Sequence, residues 1–174
     1  MGSLRPLLFY VILLSYHPFS RFAAASTVDD VCEKTMVDGH VTKKECYSVI
    51  NSDPRSRTAD LHGIAVISGD IAIKTATSLI PDVYKFLKAS SDPNQQKERR
   101  KCFQTCTDVI PMLNGAAELV KSKNYGQARK VFVNALIVPK MCYDLTENHP
   151  LRGLIERFIT VVSVAFKVSE LAHG

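Results

Sequence analysis

From Leu61 onward the apolar positions recur in steps of three and four. Leu61, Ile64, Ala65, Ser68, Ile71, Ala72, Thr75, Leu79, Val83 and Phe86 fall on one stripe of a helix. The segment 52–58 before it is a loop, with Thr58 placed to cap the helix and Asp60 beside its positive start. Pro81 lies inside the stripe and predicts a kink or a break. A further helical pattern runs over 94–122, with Pro111 as a second kink. Another begins near Tyr125, carries Ala128, Val131, Phe132, Ala135 and Leu136, and is interrupted by Pro139. After the breaker Asn148-His149-Pro150, the positions Leu151, Leu154, Ile155, Phe158, Val162, Ala165 and Ala172 mark a last amphipathic helix. No sustained two-residue alternation signals a strand. The pattern therefore predicts an all-α protein: an antiparallel four-helix bundle with helices of about 20 residues or more and short loops.

Ahead of the bundle lie two short helical segments, 28–35 and 42–50, around a turn at Asp38-Gly39-His40. They place Cys32 and Cys46 on opposite arms of a helical hairpin, 14 positions apart. The hairpin has too few apolar residues to stand alone. A disulfide closing it would contribute roughly 3 kcal/mol by restricting the unfolded chain.

The N-terminus changes the chemical setting. Arg5, the apolar run 7–14 and the small residues Ala23-Ala24-Ala25 have the layout of a secretory signal peptide, residues 1–25, cleaved after Ala25. The run is shorter than the roughly 20 apolar residues that a span requires. The C-terminal apolar stretch is broken by Arg152, Glu156, Arg157, Lys167 and Glu170, so no membrane association is expected once the signal is removed. The expected mature domain is 26–174, and it is extracellular. The full chain has a formal charge of +5; the leader carries Arg5 and Arg21 and no acid, so +5 minus 2 leaves a mildly basic +3. There is no Trp, which weakens any reading that needs an indole platform for sugars.

Secretion makes disulfides the first reading of the five cysteines Cys32, Cys46, Cys102, Cys106 and Cys142. Cys102 and Cys106 share one helix face, and only one of them can bond Cys142. Residue chemistry does not choose between them. A zinc site is the competing idea, with three cysteines and His149 as fourth ligand in sequence reach. Secretion and the missing C-x-x-C spacing weigh against metal and redox roles, so no metal is expected.

Catalytic motifs are missing: no H-E-x-x-H, no G-x-S-x-G and no Gly-rich phosphate loop. His40, His62, His149 and His173 are scattered, and Asp60 and Asp70 stand ten positions apart on one helix. An enzyme is not expected, and no cofactor is implied. The run Lys97-Glu98-Arg99-Arg100-Lys101 reads first as a solvated face. Without interleaved aromatics it does not suggest nucleic acid. It could make a weak contact with an acidic polysaccharide.

Several stretches occur together. Cys32-Glu33-Lys34-Thr35 leads to Cys46; Asp53-Pro54-Arg55-Ser56-Arg57-Thr58-Ala59-Asp60-Leu61 follows; Cys102 and Cys142 flank Tyr125. Jointly these resemble the plant invertase and pectin methylesterase inhibitor family over the whole expected mature chain, most nearly its invertase-inhibitor-type subgroup. The resemblance implies a four-helix bundle with a disulfide-stapled N-terminal hairpin and the bridge Cys32–Cys46. The third family cysteine precedes the turn tyrosine by 23 positions, which selects Cys102 as partner of Cys142. Cys106 stands where relatives usually carry a tyrosine and is the spare thiol. Two positions depart from members that act on invertase. Tyr125-Gly126-Gln127 replaces a Pro-Lys-Phe turn, and Ile137 replaces a polar residue after Ala135-Leu136.

The resemblance implies a secreted protein inhibitor that docks on pectin methylesterase or invertase and blocks its substrate cleft. The turn Lys123-Asn124-Tyr125-Gly126 is the candidate contact, by position. The alternative is a secreted bundle that carries a small apolar ligand in a cavity opened at Pro81 and Pro111, without inhibitory activity.

Overall fold

A computed structural model describes residues 19–35, 41–137 and 139–174. The apolar leader run and the turn at Asp38-Gly39-His40 lie outside the described residues. The described chain forms α1 (Phe19–Lys34), α2 (Lys43–Ile50), a 3-10 turn (Pro54–Thr58), α3 (Leu61–Lys88), α4 (Pro93–Lys121), α5 (Tyr125–Ile137), α6 (Lys140–Leu145) and α7 (Leu151–His173). It has no strand among the described residues.

The helix starts are written locally. Thr42 accepts from the Glu45 amide while Glu45 accepts from the Thr42 amide, a reciprocal capping box ahead of α2. Asp92 accepts from the Asn94 amide at 2.8 Å, with Pro93 in the first helical position where no amide is needed. Asp60, and not Thr58, caps α3: its Oδ1 accepts from the Gly63 amide at 2.7 Å. Thr58 is consumed by the 3-10 turn, which Asp53 caps and Pro54 opens.

Helices α3, α4, α5 and α7 form a square in which each packs on two neighbours: α3 on α4 and α7, and α5 on α4 and α7. Ile64, Leu113, Phe132, Ile155, Phe158 and Val162 fill the centre at no more than 1 % exposure. Gly69 lets α3 approach α4, since a Cβ there would already touch the Ala117 Cβ at 3.6 Å. By length and composition α3 could cross a bilayer, contrary to the expectation that no such segment follows the leader. Here its stripe of Ile64, Ala72, Leu79, Val83 and Phe86 is the buried seam of the bundle.

Of the kink or break expected at Pro81, the break does not occur, and Pro111, where only a kink is expected, likewise leaves its helix continuous. Burial of Leu79, Val83 and Phe86 around the first, and of Val109 and Leu113 around the second, outweighs the roughly 3 kcal/mol that an interior proline costs. Pro139 does end a helix. The fourth bundle helix is therefore 13 residues, short of the expected 20, and Cys142 sits on the separate six-residue α6.

Candidate functional site

The hairpin is closed on itself by sulfur and held against the bundle by burial of Val31, Val49 and Ile50. Cys32 on α1 and Cys46 on α2 are bonded, with Cα atoms 5.7 Å apart. The Thr35 hydroxyl donates to the Val31 carbonyl at 2.8 Å and lies 3.8 Å from the Cys46 sulfur. On the outer face, Tyr47 donates to Asp29 and Lys43 pairs with Glu33, so the two arms are also joined in solvent.

A second sulfur group joins α4 to α6. Cys102 and Cys142 are bonded, Cα atoms 5.0 Å apart, and the free Cys106 thiol stands 3.4 Å from the Cys142 sulfur. The three sulfurs lie within 4.8 Å of one another, all buried. Burial pushes the Cys106 thiol up to about 11, so it stays protonated at neutral pH. Zinc wants thiolates. Two of these sulfurs are spent on each other and the third keeps its proton, so the cluster does not fit that ion. His149 is not its fourth member: its Nδ1 accepts from the Leu151 amide at 3.1 Å, and its ring tilts against Phe86 at 4.9 Å.

The turn between α4 and α5 is a Schellman motif. The Lys123 amide donates to the Val120 carbonyl at 2.9 Å and the Asn124 amide to the Leu119 carbonyl at 2.8 Å. Lys123 holds the left-handed position at φ 61° that glycine usually fills. Lys123 and Asn124 are exposed, whereas Tyr125 and Gly126 are half-buried. The Tyr125 hydroxyl shares a hydrogen bond of 2.8 Å with His62 Nδ1, tying the turn to the start of α3. Burial, with Asp60 nearby, raises the Tyr125 phenol. Gly126 lies under the His173 ring, where a Cβ would come within 3.3 Å. Of the four turn residues, two thus face solvent and two hold the end of the bundle together. His62 and His173 carry no motif in the sequence and are recognised only from the packing of the three chain segments that meet here.

The basic run also divides. The Arg99 guanidinium donates to the Phe86 carbonyl at 2.9 Å and lies 4.2 Å over the Phe86 ring, closing the end of α3. Lys101 pairs with Glu98 at 2.8 Å. Lys97 and Arg100 remain as exposed charge. Asp60 is a helix cap and Asp70 is bound by Arg55 at 2.9 Å, so the two carboxylates do not work as a pair.

These features define a class: a four-helix bundle with a sulfur-tied N-terminal hairpin and a second sulfur bridge between α4 and α6. The profile of the plant invertase/pectin methylesterase inhibitor family matches residues 26–170. The chain belongs to this family. It is 30% identical over 122 residues to a protein named "Putative invertase inhibitor" from Platanus acerifolia, covering 70% of this chain and 68% of that one. It is 25% identical over 148 residues to the "Pectinesterase inhibitor" of Actinidia deliciosa, covering 85% and 77%. In fold it is similar to a crystal structure of a mutant pectin methylesterase inhibitor from Arabidopsis, with a TM-score of 0.67 at 17% identity, over 83% of this chain and 95% of that one.

Proposed function

We propose that the chain is a secreted, non-enzymatic protein inhibitor that docks on pectin methylesterase or invertase in the cell wall and blocks the substrate cleft. Family membership across residues 26–170 carries the proposal. The match begins directly after Ala25, which supports removal of residues 1–25 as a signal and a mature domain of 26–174. Bridges Cys32–Cys46 and Cys102–Cys142, with Cys106 free, would hold the docking face rigid in the exported molecule. A rigid face spends little of its contact energy on ordering itself. Lys123 and Asn124 are the solvent-facing part of the contact; Tyr125 and Gly126 would act by holding them in place.

Transport of an apolar ligand is not favoured. Large side chains fill the centre of the bundle, and the larger grooves open on the surface between charged rims. The test is a titration of the refolded mature protein against a pectin methylesterase and an acid invertase. Stoichiometric loss of activity of one of them, abolished by prior reduction of the disulfides, is expected. Full activity of both at a large excess of the intact protein would refute the proposal.

A further inference from the structure

A surface groove of about 370 Å³ follows the seam between the C-terminal part of α3 and the N-terminal part of α4. Helix α3 supplies Tyr84, Leu87 and Lys88, and α4 supplies Gln96, Arg100, Phe103 and Gln104. Helical spacing puts the four α4 positions on one face. From Gln96 to Gln104 the groove is about 12 Å long at the rise of a helix.

The charge in its lining has one sign. Lys88 and Arg100 are exposed, and neither makes an ion pair among the described residues. Of the lining residues none is a carboxylate. The acids on the same stretch of chain are engaged beside the groove. Asp82 meets Lys85 at 3.1 Å, Glu98 meets Lys101 at 2.8 Å, Asp108 accepts from Gln104 at 2.8 Å, and Asp92 caps α4. The larger cavity on the other side of α3 is different in kind: there Lys74 and Arg157 sit among Asp53, Asp70 and Asp82.

The groove also presents an aromatic surface. Tyr84 is the most exposed of the described aromatic side chains, at 48%. Its ring meets the half-buried Phe103 edge to face, centroids 5.7 Å apart, and is held in place by that contact. Lys88 Nζ lies 5.5 Å from the Tyr84 ring centre, so ring and cation are offered side by side. Gln96 Nε2 donates to the Ser90 carbonyl at 2.7 Å, and Gln104 Nε2 to Asp108. Both amides are thereby oriented, and each keeps its carbonyl oxygen as an acceptor.

We propose that this groove binds a short oligosaccharide of uronic acid. Such a chain brings carboxylates for Lys88 and Arg100, hydroxyl donors for the two glutamine carbonyls, and flat C–H faces for Tyr84 and Leu87. A neutral sugar leaves the cations unanswered. An inorganic anion leaves the ring and the length unused. An acidic peptide brings the charge without the C–H face or the hydroxyls. The polysaccharide contact expected of the run 97–101 thus narrows to Arg100, joined by Lys88 and Tyr84 from α3, since Arg99 and Lys101 are already engaged. The site does not rest on the inhibitor reading.

Calorimetric titration of the intact mature protein with an oligogalacturonide, without any enzyme, tests the site. Binding is expected at low salt, weakened several-fold by 0.5 M salt, and absent for a neutral oligogalactose of equal length. The double variant Lys88→Ala/Arg100→Ala should weaken it at least tenfold, and Tyr84→Ala about fivefold without any change of charge. Lys74→Ala/Arg157→Ala removes the same charge elsewhere and should leave binding unchanged. All five side chains are exposed, so the variants should melt like the parent. No binding, or equal loss in the two double variants, would overturn the proposal. So would undiminished binding by Tyr84→Ala, or equally tight binding of an oligo-glutamate peptide of equal charge, the last in favour of an acidic protein segment. Inhibition assays run separately on the same variants distinguish failure of this site from failure of the inhibitor reading.

Discussion

The Cys106 sulfur stands 3.4 Å from that of Cys142, although Cys142 is bonded to Cys102. One cysteine of α6 thus faces two partners a single helical turn apart on α4. In the chain-entropy account a bridge closing this loop stabilises by about 4 kcal/mol, and moving it by one turn barely changes that figure. Cys102→Ser is therefore expected to refold with a Cys106–Cys142 bridge and to keep most of the stability that Cys142→Ser loses. Peptide mapping under acid quench and urea unfolding check both parts. A free Cys142 in Cys102→Ser would show that the backbone does not tolerate the shifted register.

The same burial predicts an alkaline weakness. The native Cys106 thiol keeps its proton to about pH 11, above the ordinary thiol value of 9.0. Between those values the unfolded state binds fewer protons, so stability falls as pH rises, by up to about 3 kcal/mol when complete. Below pH 8 the thiol contributes no pH dependence. Cys106→Ala should flatten this decline between pH 9 and 11 relative to the parent, as read from urea midpoints. Native Cys106 should also resist alkylation at pH 8 until the protein is unfolded.

The bundle was legible in the sequence because α3 and α7 carry long stripes of period 3.6, although Leu154 on the α7 stripe is exposed and Val161, Val164 and Val168 beside it are buried. The interruption at Pro139 was legible too, but the choice between a kink and a break at Pro81 was not. A proline's cost is local, whereas the burial of Leu79 and Leu113 that offsets it at Pro81 and Pro111 comes from neighbouring helices. Pro139 has less flanking it, since the exposed Ile137 offers little burial, and there the helix does end. Thr58 and Asp60 both suit a cap; the 3-10 turn, invisible to helical periodicity, decides between them. The choice between Cys102 and Cys106 rested on a family spacing because both share one face.

Lys123 separates folding from docking. Its left-handed backbone costs a side-chain-bearing residue roughly 1 kcal/mol or more relative to glycine. Lys123→Gly should therefore raise stability by about 1 kcal/mol while removing an exposed charge from the proposed contact. If the turn meets the target, this variant is more stable and a weaker inhibitor. Higher stability with undiminished inhibition would move the contact elsewhere on the bundle.

The central claim is that a rigid bundle acts by occupying a cleft. Steady-state kinetics of the inhibited enzyme, with the protein at several fixed concentrations, test it most directly. An apparent KM that rises linearly with free inhibitor while kcat stays constant is expected, for pectin methylesterase or for invertase. A falling kcat at constant KM, or no change for either enzyme, would contradict it.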